Sequence, residues 1–206
     1  MFRNDTENIA EKIVSMTLEK KPYRSILKNI EEKSKQDLDI DWGIVGDYVT
    51  GQIKRGEGMF FVNLNLLDFA MQSYAIDGEN SIIKRLNCQF QLANNYSDQA
   101  GLERKFRLYE NLIDESKIRC NGKDIFQWYW SRGLNRLISL HLYWGNKKRA
   151  DILCHELISL CLEVDDGTVL SLFSDNYPWF VKENRILFPK NFLDDFDKNQ
   201  LNNQNM

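Results

Sequence analysis

The chain has 206 residues, of which 43% are hydrophobic and 28% charged, and its formal net charge is −3. This length and apolar content fill one core without requiring a second. A mildly acidic chain lacks the concentrated Lys and Arg excess of a general nucleic-acid surface, so no nucleic-acid partner is expected.

In chain order, Ile9, Ile13 and Met16 lie on one helical face, with Asp5 or Thr6 as N-cap and Pro22 as the stop. A second helix starts at Tyr23 with Ile26, Leu27 and Ile30 as its stripe. From Asp37 to Ile53, Gly43 and Gly46 interrupt the run Trp42, Ile44, Val45, Tyr48, Val49, which predicts a broken helix or a turn. Phe60, Leu64, Leu67, Met71 and Tyr74 then recur at spacings of 4, 3, 4 and 3, a helical period that outlasts the strand-like stretch Phe61 to Leu66.

Asp77-Gly78 marks a turn. Ile82, Ile83, Leu86, Phe90 and Ala93 carry the next helix, and Leu102, Phe106, Tyr109, Leu112 and Ile113 another, ended by Asn121-Gly122. Two helices over 124–144 and 147–163 meet at Gly145-Asn146, where Gly suits a left-handed C-cap and Asn the next start, giving an antiparallel hairpin. After Asp165-Asp166-Gly167, short apolar pieces at Val169–Phe173 and Trp179–Val181 are separated by Pro178 and Pro189, and the last residues, 197–206, read as a polar disordered tail. The expectation is a single all-α domain over 1–196, an irregular bundle of seven or eight helices built from antiparallel hairpins.

Charge is unevenly spread: residues 58–149 hold 13 basic and 9 acidic side chains, whereas 150–206 hold 4 basic and 10 acidic. An acidic C-terminal third suits a basic partner, although a solvated charged face is the simpler reading. Cys88, Cys120, Cys154 and Cys161 show no disulfide-framework spacing, and MFRNDTENIAEKI places charges where a secretion signal needs an apolar run. Both features point to a reducing, cytoplasmic setting. The uncharged stretch from Gly58 to Leu67 is about half of what a membrane helix requires.

Few residues carry chemistry in a recognisable pattern. Asp37, Asp39 and Asp41 alternate as in a calcium loop, but Trp42 and Tyr48 stand where the loop requires Gly and Glu. The same carboxylates beside Trp42 combine steering charge with an aromatic anchor and make a better protein-contact candidate. His141 shares a stripe with Leu137 and Trp144 and reads as a core histidine; His155, one turn after Asp151, reads as half of a surface ion pair. Cys154 and Cys161, seven apart, fit a buried stripe better than zinc, and no metal or cofactor is expected.

Asp114-Glu115 and Asp194-Asp195 are adjacent on helices and diverge, so neither is an acid/base pair. Phe126, Trp128, Tyr129 and Trp130 wrap all round their helix and read as core. Tyr177-Pro178-Trp179-Phe180, near Asp165, Asp166 and Asp175, reads as an aromatic loop able to form an interface hot spot or a lid over the core.

The segment Trp144-Gly145-Asn146-Lys147-Lys148-Arg149-Ala150, followed by Leu153, Cys154 and Leu157, resembles the middle of a tetratricopeptide repeat, which implies a tight turn and close packing at the small Ala. A further unit one period earlier should turn near Asn111 or Leu112, inside an apolar helical run, so a regular solenoid is not expected. In overall character, as a small, acidic, aromatic-rich helical chain abundant in Asn, Lys and Ile, it is similar to bacterial immunity proteins that neutralise a cognate contact-dependent or secreted toxin. That resemblance implies a non-catalytic antitoxin that meets a basic toxin domain through acidic and aromatic surface, with Asp37, Asp39, Asp41, Trp42, Asp165, Asp166, Asp175, Tyr177 and Trp179 as candidate contacts. The alternatives are a helical enzyme whose site is assembled from scattered residues such as His141, Tyr129 and Arg136, and an adaptor that binds a peptide in a hairpin groove.

Overall fold

The computed structural model describes residues 3–36, 40–53, 60–96, 101–120, 124–164 and 167–204. Among them every regular element is helical and none is a strand, as the periodicity predicts, with somewhat more helices than expected. The chain folds as two compact units, Met1–Leu112 and Ile113–Met206. The calcium-like carboxylates Asp37 and Asp39, and Asp165 and Asp166 at the end of the hairpin, lie outside the described residues.

The first unit contains α1 (Arg3–Leu18), α2 (Tyr23–Ser34), α3 (Trp42–Gly51), α4 (Phe60–Asp77), α5 (Ile82–Asn95) and the beginning of α6 (Leu102–Arg119). Helix α4 is its centre and packs against α1, α2, α3 and α5. Its deepest residues are Leu66, Phe69, Ala70 and Ser73, with Leu64, Leu67 and Tyr74 also buried, so the helix is covered on nearly all sides. The 4, 3, 4, 3 spacing thus located the helix but not its deepest face. A helix apolar all round belongs in the middle of a bundle, where each large side chain contributes about 2 kcal/mol of burial before entropy is counted.

Two local expectations change. Helix α1 begins at Arg3, so Asp5 and Thr6 sit inside its opening turns. The Thr6 hydroxyl is buried and accepts from the Asp41 backbone N–H at 3.2 Å, tying α1 to the start of α3. Helix α3 is continuous through both glycines. Asp41 caps it, its carboxylate accepting from the Ile44 N–H at 2.9 Å. Gly46 is there because a β-carbon would come within 2.4 Å of the Tyr74 ring. The interrupted apolar run therefore marks a close helix crossing and not a break.

Helix α1 ends in a Schellman motif, with the Lys21 N–H on the Met16 carbonyl and the Lys20 N–H on that of Thr17. Lys20 takes the left-handed position, at φ 56°. Gly78, at φ 72°, opens a short 3-10 turn over Gly78–Ser81 between α4 and α5.

The second unit holds the rest of α6, α7 (Asp124–Tyr143), α8 (Lys147–Val164), α9 (Gly167–Asn176), α10 (Pro178–Glu183) and α11 (Lys190–Gln204). Helices α7 and α8 form the predicted antiparallel hairpin. At its tip Gly145 has φ 73°, the Asn146 N–H reaches the His141 carbonyl at 2.8 Å and the Gly145 N–H that of Leu142 at 3.0 Å. Asn146 then starts α8 by accepting from the Arg149 N–H at 3.3 Å, and Ala150 is fully buried, as the repeat-like pattern implies.

The segment read as an aromatic loop is helical, because Pro178 stands at the first position of α10, where no N–H is missed. The stretch read as a disordered tail continues α11 through Gln204. Phe192 and Phe196, one turn apart, hold this helix in a chain of rings that runs through Phe188 to Phe173 and Phe180, with neighbouring centroids 5.1 to 6.3 Å apart. The Asp197 carboxylate meets the Arg185 guanidinium through two hydrogen bonds of 2.9 and 2.7 Å. Polar composition misled because the anchoring rings lie just before the polar stretch.

Candidate protein-binding surface and a polar cavity

The candidate contact residues separate by depth. Trp42 is only 7% exposed and packs in the first unit, so it is core and not an anchor; Asp41 beside it is exposed but spends one oxygen on the cap. Tyr177 is 1% exposed. Its hydroxyl turns inward and donates to the Asn135 carbonyl at 3.0 Å and to the Asn135 side-chain oxygen, and burial pushes it up to about 12. No partner reaches Tyr177 in this arrangement. Asp175 is exposed and Trp179 half-buried, and these two keep the surface positions the sequence suggested.

Trp179 belongs to a larger arrangement. The Lys147 ammonium lies 4.7 Å from the centre of its ring and 2.7 Å from a carboxylate oxygen of Glu183. Lys147 opens α8 immediately after the hairpin tip, where Tyr143 is 82% and Trp144 46% exposed, their rings 5.7 Å apart and edge to face. Two helix ends and a Schellman turn thus present Tyr143 and Trp144 beside the Trp179, Lys147 and Glu183 cluster. Sequence reading assigned Trp144 to the core stripe of His141. The missed signal was the Gly145 cap itself, since residues flanking a tight turn leave the packed face.

Helix α7 shows the same sorting. Phe126 and Tyr129 are buried as expected, but Trp128 faces out on a stripe with Ile125, Arg132, Arg136 and Tyr143, and the Arg132 guanidinium sits 5.6 Å from its ring centre. Tyr129 and Arg136, offered for a scattered catalytic site together with His141, are about 10 Å apart along the helix axis, one buried and the other exposed, so they do not converge. His155 makes the surface pair its spacing predicts, with Nδ1 3.6 Å from an Asp151 carboxylate oxygen, and its ring packs edge-on against Phe180. Cys154 is fully buried, and its thiol is pushed up to about 12 by burial and then by Asp151. A thiol held neutral in this way packs as a small apolar group and is a poor nucleophile.

The first unit carries two polar features that sequence reading did not single out. Asp68, in the middle of α4, is 2% exposed, and its Oδ2 accepts from the Tyr23 hydroxyl and the Arg104 guanidinium. Burial alone lowers the Arg104 guanidinium, but Asp68 outweighs it and raises it; burial and Asp68 both raise the Tyr23 hydroxyl. Asp68 Oδ1 has no hydrogen-bond donor among the described residues. A lone carboxylate in an apolar run was the available signal, since such a group needs a buried partner from elsewhere.

The second feature is a cavity of about 350 Å³ among α3, α4 and α5, lined in part by Asp47, Thr50, Tyr74, Lys84, Cys88 and Gln91. Asp47 accepts from the Tyr74 hydroxyl at 2.9 Å and from the Lys84 ammonium at 2.6 Å. Burial, followed by Asp47, pushes the Cys88 thiol up to about 12, so it lines the cavity as an inert neutral group. No helix among the described residues is long and apolar enough to cross a membrane. No protein family, curated protein or solved structure matches this chain.

Proposed function

We propose that this protein acts by binding another protein and that the contact is made by the α7–α8 hairpin tip and the adjoining α10. The supporting observation is the exposed pair Tyr143 and Trp144, held at the hairpin tip by a capped turn, beside Trp179, Lys147 and Glu183. Binding energy concentrates in aromatic side chains that are large, stiff and already positioned, ringed by charge that governs approach. Within that class, we infer an immunity protein that occludes a toxin. Asp175 supplies acidic surface on this unit for a basic toxin face, the Glu183 charge being taken up by Lys147, while Tyr143 and Trp144 supply the apolar anchors.

The test begins with tagged protein purified from cells that co-express the adjacent open reading frame, followed by mass spectrometry for a stoichiometric companion that survives moderate salt. Tyr143→Ala with Trp144→Ala should then weaken its binding by about 2 to 3 kcal/mol, or roughly 30- to 150-fold. Unchanged affinity in that double variant rejects the surface. A companion whose toxicity in cells is not relieved by the wild-type chain rejects the immunity reading while leaving the binding role standing.

A further inference from the structure

The Asp47 carboxylate and the Tyr74 ring together hold the Lys84 ammonium. The Lys84 ammonium is 2.6 Å from Asp47 Oδ2 and 5.8 Å from the Tyr74 ring centre, so one cation meets a full negative charge and lies over an aromatic face. Those two elements are what recognition of an alkylammonium group requires. Both are fixed: the Tyr74 ring is buried against Gly46, and its hydroxyl donates to the other Asp47 oxygen at 2.9 Å. The Lys84 side chain reaches the pair from the solvent side and is 50% exposed. Beside the pair lies the 350 Å³ cavity, whose wall adds Thr50, Asn87 and Gln91 as hydrogen-bonding groups and Ile53 and Leu67 as apolar ones.

We propose that this cavity binds a small molecule bearing a primary alkylammonium group, which displaces Lys84 from Asp47 and extends its carbon chain along Ile53 and Leu67. A volume of about 350 Å³ is at the low end for ligand sites, which limits the ligand to a few carbons beyond its amine. Lys84 is the built-in competitor. An ion pair this exposed holds its partner by no more than about a fivefold factor, so displacement is inexpensive. An anion site would behave oppositely, because Lys84 would then be the recognising group and its removal would abolish binding.

That opposition makes the proposal testable with 1,4-diaminobutane as the probe, using isothermal titration calorimetry on the full chain. Wild-type protein should bind it saturably, Lys84→Met roughly two- to fivefold more tightly, and Asp47→Asn roughly two- to fivefold more weakly. Lys84 is half-exposed, so the first variant keeps the fold. Gln91→Glu, an exposed change on the cavity wall, should also tighten binding and does not disturb the Tyr74 contact. The proposal is overturned if Lys84→Met shows no saturation up to about 10 mM diamine, if it loses an affinity the wild type has, or if uncharged 1,4-butanediol binds equally well. Tighter binding of succinate than of the diamine by the wild type, lost in Lys84→Met, assigns the cavity to an anion instead.

Discussion

Gly46 and Gly51 sit in the same helix, yet replacing each by Ala should move stability in opposite directions. At Gly46 the new methyl carbon would lie 2.4 Å from Tyr74 Cε1 and 2.7 Å from two further ring atoms. Carbon contacts settle at about 3.5 to 4.0 Å, so the ring would have to retreat by about 1 Å. It has no room, being 3% exposed with its hydroxyl held by Asp47. Overpacking of this kind costs about 1 to 3 kcal/mol, while exchanging Gly for Ala inside a helix returns about 1 kcal/mol at most. Because the ring cannot retreat, the upper part of that range applies, and the net expectation for Gly46→Ala is a loss of about 1 to 2 kcal/mol and a Tm lower by roughly 2 to 8 °C.

Nothing lies within 4 Å of a β-carbon at Gly51, and its φ is not positive, so Gly51→Ala should gain about 0.4 to 1 kcal/mol. Thermal and urea melts followed by circular dichroism read both variants. In a Tyr74→Leu background the Gly46→Ala cost should shrink, because the obstacle is the ring. A Gly46→Ala protein as stable as wild type would refute the close-crossing account of α3 and α4.

Three further outcomes follow from named contacts. Lys20→Gly removes a side chain from the left-handed turn at φ 56° and should stabilise the chain by about 1 kcal/mol, measured as a higher urea midpoint at constant m-value. Arg104→Met strips the buried Asp68 carboxylate of its charge partner and should cost about 3 kcal/mol, at the low end for such a loss because Arg104 is itself half-exposed; pairing it with Asp68→Leu should recover part of that cost in the same urea melts. Stability should fall in alkali: the Cys88 and Cys154 thiols and the Tyr177 hydroxyl are all pushed up to about 12, and Tyr23 and Tyr74 upward as well, mainly by burial. Because the unfolded chain loses these protons first, the stabilisation is complete below about pH 8.5 and is lost as pH rises toward 12. Urea midpoints at pH 7, 9 and 10.5 that do not decline would contradict it.

How much of this was legible depended on the range over which each residue acts. Apolar spacing along 60–77, 82–95, 124–143 and 147–164 fixed helices where they occur, and Gly145-Asn146 fixed the hairpin turn, because helix periodicity and capping involve neighbours within a few positions. The same local logic paired His155 with Asp151. It failed at Gly46, where a residue weak in a helix is required by a ring 28 positions away, and at the C-terminus, where Phe192 and Phe196 draw a polar segment into α11.

The candidate sites were the least legible part, for the same reason. Trp42 and Tyr177 have the composition of contact residues, and only packing sends them inward, while Tyr143 and Trp144 are turned outward by the cap that follows them. Asp47, Tyr74 and Lys84 come from three helices, and Asp68, Tyr23 and Arg104 from three, with no shared motif in the chain. The sequence by itself determined that this protein is helical and where its hairpin turns. Which side chains meet was decided by tertiary structure, since burial and charge pairing depend on partners that chain order does not place side by side.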